Sequence, residues 1–217
     1  MGTRFLFLGP PGAGKGTQAA LLGQRLQVPT ISTGRIFREA IADQTAMGKQ
    51  IAQFVNAGLL VPDKLTNAIV EDRLKKKDAK KGFILDGYPR NQPQAKAFDA
   101  YLQKAHRPLD AVLYFKVDAS AVIDRMGKRR ICSQCGQTYN IVTQPPQVEG
   151  KCDRCSGPLV MRSDDQPDAI RRRLEVYEES TINLLQYYEK KGVMRVIAAS
   201  LSVEEVTRQI DVICGDA

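Results

Sequence analysis

The chain lacks most of what would mark a base-assisted transfer to a hydroxyl acceptor, a membrane protein or an exported one. It has a single histidine, His106, in a predicted loop before Pro108, and no recognisable pairing of base and nucleophile. No uninterrupted apolar stretch approaches the ~18 residues of a membrane span. The first apolar run, residues 5–8, is too short for a secretory signal and no small-residue cleavage site follows it. Leu6 stands where N-myristoylation of Gly2 would call for Ser or Thr. These absences predict a soluble, cytoplasmic chain with no membrane partner. Internal repeats and low-complexity segments are also missing. A length of 217 residues suits one domain with a substantial core, or one carrying a small inserted module, rather than two full domains.

What is present is ordinary in bulk and particular in its motifs. Hydrophobic residues make up 43% and charged residues 26%, typical of a globular chain, but the formal charge of +8 asks for an anionic partner. Much of that excess lies in Lys75, Lys76, Lys77, Lys80 and Lys81 at the end of a predicted helix, where it reads as a solvated face.

Apolar β-type runs alternate with amphipathic segments: 4–8 then a helix over 15–26, a short strand at 30–32, 82–86 then a helix over 93–105, 111–117 then a helix over 119–129, and 193–197 then a helix over 202–213. The alternation predicts an α/β fold with parallel strands buried on both faces. Two excursions interrupt it. Residues 33–76 read as consecutive helices, broken at Ala57 and Gly58 and restarted at Val61, Pro62 and Asp63, where proline suits an early helical position. Residues 131–162 carry four cysteines, many turn formers and the pair Pro145 and Pro146.

The string Gly9-Pro10-Pro11-Gly12-Ala13-Gly14-Lys15 follows a predicted strand and opens a predicted helix, the context that makes a glycine-rich string a phosphate site. Glycines let backbone N–H groups turn toward phosphate oxygens, the helix start adds its partial positive charge, and Lys15 reaches the outer phosphates. Gly16 stands where many such loops carry the magnesium-holding Ser or Thr, with Thr17 one place later. Asp86, at the C-terminal edge of an apolar strand, is the candidate carboxylate on the magnesium side. Cys132 with Cys135 and Cys152 with Cys155 form two CxxC pairs suited to a tetrahedral thiolate zinc site on paired knuckles. Four protein ligands leave no position for a catalytic water, so the metal is predicted to be structural; disulfides or redox pairs are the rival reading, and Cys214 lies outside the pairs.

The loop from Gly9 to Gln18, the triplet Ser32-Thr33-Gly34, the string Asp86-Gly87-Tyr88-Pro89-Arg90 and the cysteine region together resemble the adenylate kinases, in their long form with a metal-stapled lid, over essentially the whole chain. In that family the Gly16-Thr17 order is characteristic. The resemblance implies a P-loop three-layer sandwich with a five-stranded parallel sheet: a core of residues 1–31, 62–127 and 166–217, an NMP-binding part at 32–61, and a zinc-bearing lid at 128–165. It implies reversible phosphoryl transfer from MgATP to AMP giving two ADP, by a monomer that binds no nucleic acid.

By positional match, ATP would be held by Gly12, Ala13, Gly14, Lys15, Gly16, Thr17, Arg125, Arg129 and Tyr139. AMP would be held by Thr33, Arg38, Leu59, Val61, Gly87, Arg90, Gln94, Arg162 and Arg173, with Gln94 on the adenine edge. Lys15, Asp86, Arg90, Arg125, Arg129, Arg162 and Arg173 would carry the chemistry, since several converging guanidinium groups are what a transferring phosphoryl group requires. The missing base fits as well. A phosphate monoester, with a second pKa near ~6, is already mostly a dianion at neutral pH and attacks unaided.

Arg35 departs from the family, which commonly has Asp there. It either weakens magnesium binding or adds a phosphate contact. The alternative readings are a kinase of other base preference, such as a GTP:AMP phosphotransferase, and a zinc-ribbon nucleic-acid binder, which leaves the phosphate loop unexplained.

Overall fold

The computed structural model describes residues 3–215, so Gly2 and the outermost residues of the predicted core lie outside the described residues. Strand β1 (Arg4–Leu8) leads through the glycine-rich loop into α1 (Lys15–Leu26) and β2 (Thr30–Ser32). Helices α2 (Thr33–Ala42), α3 (Ala46–Asn56) and α4 (Asp63–Leu74) precede β3 (Phe83–Asp86), α5 (Gln92–Lys104), β4 (Ala111–Lys116) and α6 (Ala119–Gly127). A small antiparallel unit follows, made of β5 (Arg129–Cys132), β6 (Thr138–Asn140) and β7 (Leu159–Val160). The chain then returns through α7 (Pro167–Val176), a π-helical turn (Tyr177–Thr181), α8 (Asn183–Glu189), β8 (Met194–Ala198) and α9 (Val203–Cys214).

The main sheet has the order β2-β3-β1-β4-β8, and every pairing in it is parallel. Its covering layers follow from the two-residue period of a strand. Phe5 and Phe7 join Ala19 and Leu22 of α1 and Val206 and Ile210 of α9 on one face. Leu6 and Leu8 join Val70 and Leu74 of α4, Phe98 and Leu102 of α5, and Leu184 and Tyr188 of α8 on the other. Each such side chain, removed from water, contributes about 1.5–3 kcal/mol. This is why the predicted strands lack polar alternation.

Helices α2 and α3 have a small core of their own, built on Phe37, Ile51 and Val61. Thr45 caps α3 by accepting the Gly48 N–H at 2.9 Å, and Gly48 permits the close turn, since a Cβ there would stand 1.9 Å from the Ala40 carbonyl oxygen. The antiparallel unit buries little: Cys132, Tyr139 and Cys152, with Leu159 beside them.

The structure corrects the sequence reading in places. The helix predicted over 119–129 ends at Gly127, and Arg129 opens β5 instead, pairing opposite Asn140. Glycine is a poor helix former, and Arg129, Arg130 and Ile131 find antiparallel partners in Asn140, Tyr139 and Thr138. The break at residues 43–45 was not read from the sequence, nor were α7, the π-helical turn and α8.

Candidate active site

Strand β1 has β3 on one side and β4 on the other, so the chain's crossovers diverge at its C-terminal end. Open α/β sheets bind ligands in the crevice this creates. Here it opens into a cleft of about 1540 Å³, walled by the glycine-rich loop, Asp86, the arginine side chains and one face of the antiparallel unit.

Gly14 caps α1 in the left-handed conformation (φ 87°), which turns the loop so that the helix starts at Lys15. The Lys15 ammonium donates to the Gly9 and Pro10 carbonyls at 2.8 and 2.7 Å, crossing the loop it belongs to. Burial pushes its pKa down to about 8; Asp86 opposes the shift, while Arg90, Arg173 and Arg129 add to it. The Asp86 carboxylate faces the start of α1, where a Cβ on Gly16 would stand 3.8 Å from Oδ2. Thr17 lines the same wall.

Across the cleft, arginines from α2, β5, α7 and the loop after β7 meet two buried carboxylates. Arg129 Nε donates to Asp165 Oδ2 at 2.7 Å and its Nη2 pairs with Oδ1. Arg162 Nε donates to Asp164 Oδ1 at 2.8 Å. Arg173 Nη1 lies 3.0 Å from Asp164 Oδ2 and 3.3 Å from Asp165 Oδ1, and Arg38 Nη1 lies 3.9 Å from Asp164 Oδ2. Burial alone would raise the Asp164 pKa, but the hydrogen bonds of Arg162 and the charges of Arg173, Arg162 and Arg38 hold it well below the carboxylate range. Burial pushes Arg90, Arg173 and Arg38 down, and the neighbouring cations push the same way. The cluster therefore holds more positive charge than its two carboxylates neutralise, which a polyanion would relieve.

Arg125 stands apart, donating to the Ala199 carbonyl at 2.8 Å on the wall between β8 and α9. Arg35 also stays out of the cluster: its Nη2 donates to the Thr30 carbonyl at 3.0 Å.

A smaller cavity joins the cleft beneath α2 and α3. Thr33, Arg38, Leu59, Val61, Gly87, Arg90, Gln94 and Arg173 line it, so eight of the positions predicted for the second nucleotide share one space. Thr33 Oγ1 and Arg90 Nε both donate to the Gly87 carbonyl at 2.8 Å. Thr181, which ends the π-helical turn, donates its hydroxyl to the Arg90 carbonyl at 2.8 Å. That turn widens the helix where it meets the site.

The four cysteine sulfurs lie within 4.8 Å of one another. Sγ of Cys132 is 3.4 Å from that of Cys155, and Sγ of Cys135 is 3.6 Å from that of Cys152, well beyond a disulfide bond. Four thiolates around a tetrahedral zinc at ~2.3 Å would be separated by similar distances, so these residues fit that metal. The Tyr139 hydroxyl accepts the Asp153 N–H at 2.8 Å and stands 3.4 Å from Cys152 Sγ. The hydrogen bond between hydroxyl and sulfur holds the Cys152 thiol down to about 6. Tyr139 also lines the cleft.

Sequence reasoning missed Asp164 and Asp165, which look like the polar turn of a loop. The available signal was arithmetic: so many converging guanidinium groups require buried counter-charges. It also missed Asp63, which accepts from Gln94 Nε2 at 2.7 Å.

Comparison with known proteins gives one consistent result. The family model described as adenylate kinase matches residues 7–193. An adenylate kinase of Caldanaerobacter subterraneus is 50% identical over 95% of this chain and 94% of its own length. One of Fervidobacterium nodosum is 50% identical over 97% and 96%, and one of Thermosipho africanus 48% identical over 94% and 96%.

Proposed function

The chain belongs to the adenylate kinase family, and on that premise we propose how its residues carry out reversible phosphoryl transfer from MgATP to AMP, giving two ADP. The observation that carries the proposal is the convergence of Lys15 and the Arg38, Arg90, Arg129, Arg162 and Arg173 side chains on a cleft with an adjoining cavity. Two phosphorylated nucleotides brought nose to nose need that concentration of positive charge, and little else.

In this reading the loop from Gly12 to Thr17 cradles the ATP phosphates through its N–H groups, and Lys15 leaves the Gly9 and Pro10 carbonyls for a phosphate oxygen. Arg125 and Arg129 face ATP, with the Tyr139 ring against the nucleotide. Asp86, with the phosphates and water, would hold the magnesium that accompanies ATP; the ion would neutralise charge on the transferring group. Arg38, Arg90, Arg162 and Arg173 grip the AMP phosphate, Thr33 and the backbone of Leu59, Val61 and Gly87 enclose the base, and Gln94 meets the adenine edge. No protein base is needed, because the attacking group is a phosphate dianion.

We assign core, AMP-binding part and lid to the boundaries set out above. Cys132, Cys135, Cys152 and Cys155 would hold a structural zinc that supplies the folding free energy the lid's slight core cannot. A closed lid excludes water, which would otherwise take the phosphoryl group. The chain is further read as a cytoplasmic monomer; among the described residues no helix is long and apolar enough to cross a membrane.

The test is to mix the protein with ATP, magnesium and each nucleoside monophosphate in turn and follow diphosphate formation. AMP alone should be used. Turnover of a different monophosphate would shift the assignment to another base preference, and no turnover with salt-sensitive RNA or DNA binding would overturn it.

A further inference from the structure

Gln94 is 1% exposed, in the wall of the small cavity, and both ends of its amide are already engaged. Its Nε2 donates to Asp63 Oδ1 at 2.7 Å, and its Oε1 accepts the Arg90 backbone N–H at 2.8 Å. Asn91 fixes Asp63 in turn. Its Nδ2 donates to the same Oδ1 at 2.9 Å, while its Oδ1 accepts the Gln94 N–H at 2.9 Å as the cap of α5. Asp63 sits in the first turn of α4 and does not line the cavity.

The chemistry of these partners leaves the amide one orientation. An ionised carboxylate only accepts and a backbone N–H only donates. Rotating the Gln94 amide by half a turn would place its oxygen against Asp63 and its NH₂ against the Arg90 N–H, breaking two hydrogen bonds and opposing like groups at both ends. In the observed orientation one N–H and one oxygen lone pair remain for a ligand, with their positions fixed.

From this we propose that Asp63 is a positioning residue that sets base specificity. By locking the Gln94 amide it presents a donor and an acceptor in the order that a 6-aminopurine matches and a 6-oxopurine opposes. Adenine offers an acceptor at N1 and a donor at the 6-amino group; hypoxanthine and guanine reverse both. A wrong base must accept mismatched groups or turn the amide against Asp63 and Arg90, and either course leaves buried polar groups unpaired. The inference rests on the proposed placement of the monophosphate base beside Gln94.

The test compares kcat/KM for AMP and IMP, with ATP as donor, in the unaltered protein, Asp63→Ala and Asp63→Asn. IMP is the apt probe because it reverses the two edge groups without adding a third. The AMP-to-IMP ratio should fall about tenfold or more in Asp63→Ala, the order expected for losing a charge-assisted hydrogen bond. Asn retains a carbonyl acceptor, which Asn91 Nδ2 would orient, so Asp63→Asn should keep the ratio within about threefold on the same scale. Asp63→Ser, too short to reach Gln94, replaces the alanine variant if that does not fold. A purely structural Asp63 would lower both substrates alike; an unchanged ratio in the Ala or Ser variant would overturn the proposal. An unaltered protein that does not phosphorylate AMP would instead refute the functional assignment itself.

Discussion

Arg129, the first residue of β5, and Asp165, which is 1% exposed, meet through two parallel hydrogen bonds and tie the antiparallel unit to the main body. Asp165 also receives Arg173 at 3.3 Å, so one carboxylate orients side chains from two elements that the functional reading assigns to two different nucleotides. Removing it would leave the Arg129 guanidinium without its carboxylate and Arg173 with Asp164 alone, in a crowd of like charges. Asp165→Ala should destabilise the protein by about 3 kcal/mol or more, the usual cost of breaking one side of a buried pair. Urea unfolding at neutral pH measures this, and a loss under about 1 kcal/mol, the range of an exposed pair, would show the pair to be unimportant.

The neighbouring carboxylate gives a pH dependence with a definite sign. Asp164 has its pKa depressed in the folded state, so its contribution is complete above the unfolded carboxylate value of about 4 and is lost as pH falls through and below it. The unaltered protein should lose stability between about pH 5 and pH 2, and Asp164→Asn should lose less across the same interval. Parallel curves for the two would count against this role.

Lys15 should make nucleotide binding take up a proton. Its pKa of about 8 falls short of the ordinary lysine value because burial disfavours the charge, and a phosphate beside it restores the charged form. Near pH 8.5 calorimetry of ATP binding in buffers of different ionisation heat should register uptake of a substantial fraction of a proton, with affinity declining as pH rises further. Lys15→Met should abolish the uptake and lower kcat by about a hundredfold or more. Uptake that persists in the variant would place the titrating group elsewhere.

Metal removal is expected to act on the lid before it acts on the sheet. The core around Cys132, Tyr139 and Cys152 is small, so a strong chelator should release one equivalent of zinc, expose four thiols to a chromogenic reagent and lower Tm. The chemical step, followed in a single turnover, should suffer less than Tm does. A melting profile that is unchanged after complete metal loss would contradict the structural role.

Arg35 illustrates what a sequence can and does not disclose. Its departure from the family was legible, but which way it acts was not, because the answer depends on where a long side chain goes. The structure directs it to the Thr30 carbonyl, away from the arginines clustered on Asp164 and Asp165. Activity should therefore survive in the natural protein, and Arg35→Asp should change kcat for AMP by less than about tenfold, a difference of ~1.4 kcal/mol. An inactive natural protein, restored by that change, would mean that Arg35 disables the magnesium side.

The same distinction runs through the site. The phosphate loop, Asp86 and the two cysteine pairs are local strings whose spacing carries their chemistry, and helix α4 announced itself through Pro62. Asp164, Asp165 and Asp63 are different: each matters because of a partner brought to it by the fold, and an aspartate in a turn or a first helical turn has an ordinary local explanation. The π-helical turn that brings Thr181 to Arg90 leaves no mark in periodicity, since one extra residue in a helix merely shifts its faces. The helix predicted over 119–129 includes Arg129, and only pairing with β6 settles it as a strand residue.

Phosphoryl exchange between two nucleotides at one cleft has a direct test that uses a single substrate. Given magnesium and ADP alone, the protein should produce ATP and AMP in equal amounts, seen together by ³¹P NMR, with no accumulation of inorganic phosphate. Persistence of ADP, or release of inorganic phosphate in place of ATP, would contradict the account.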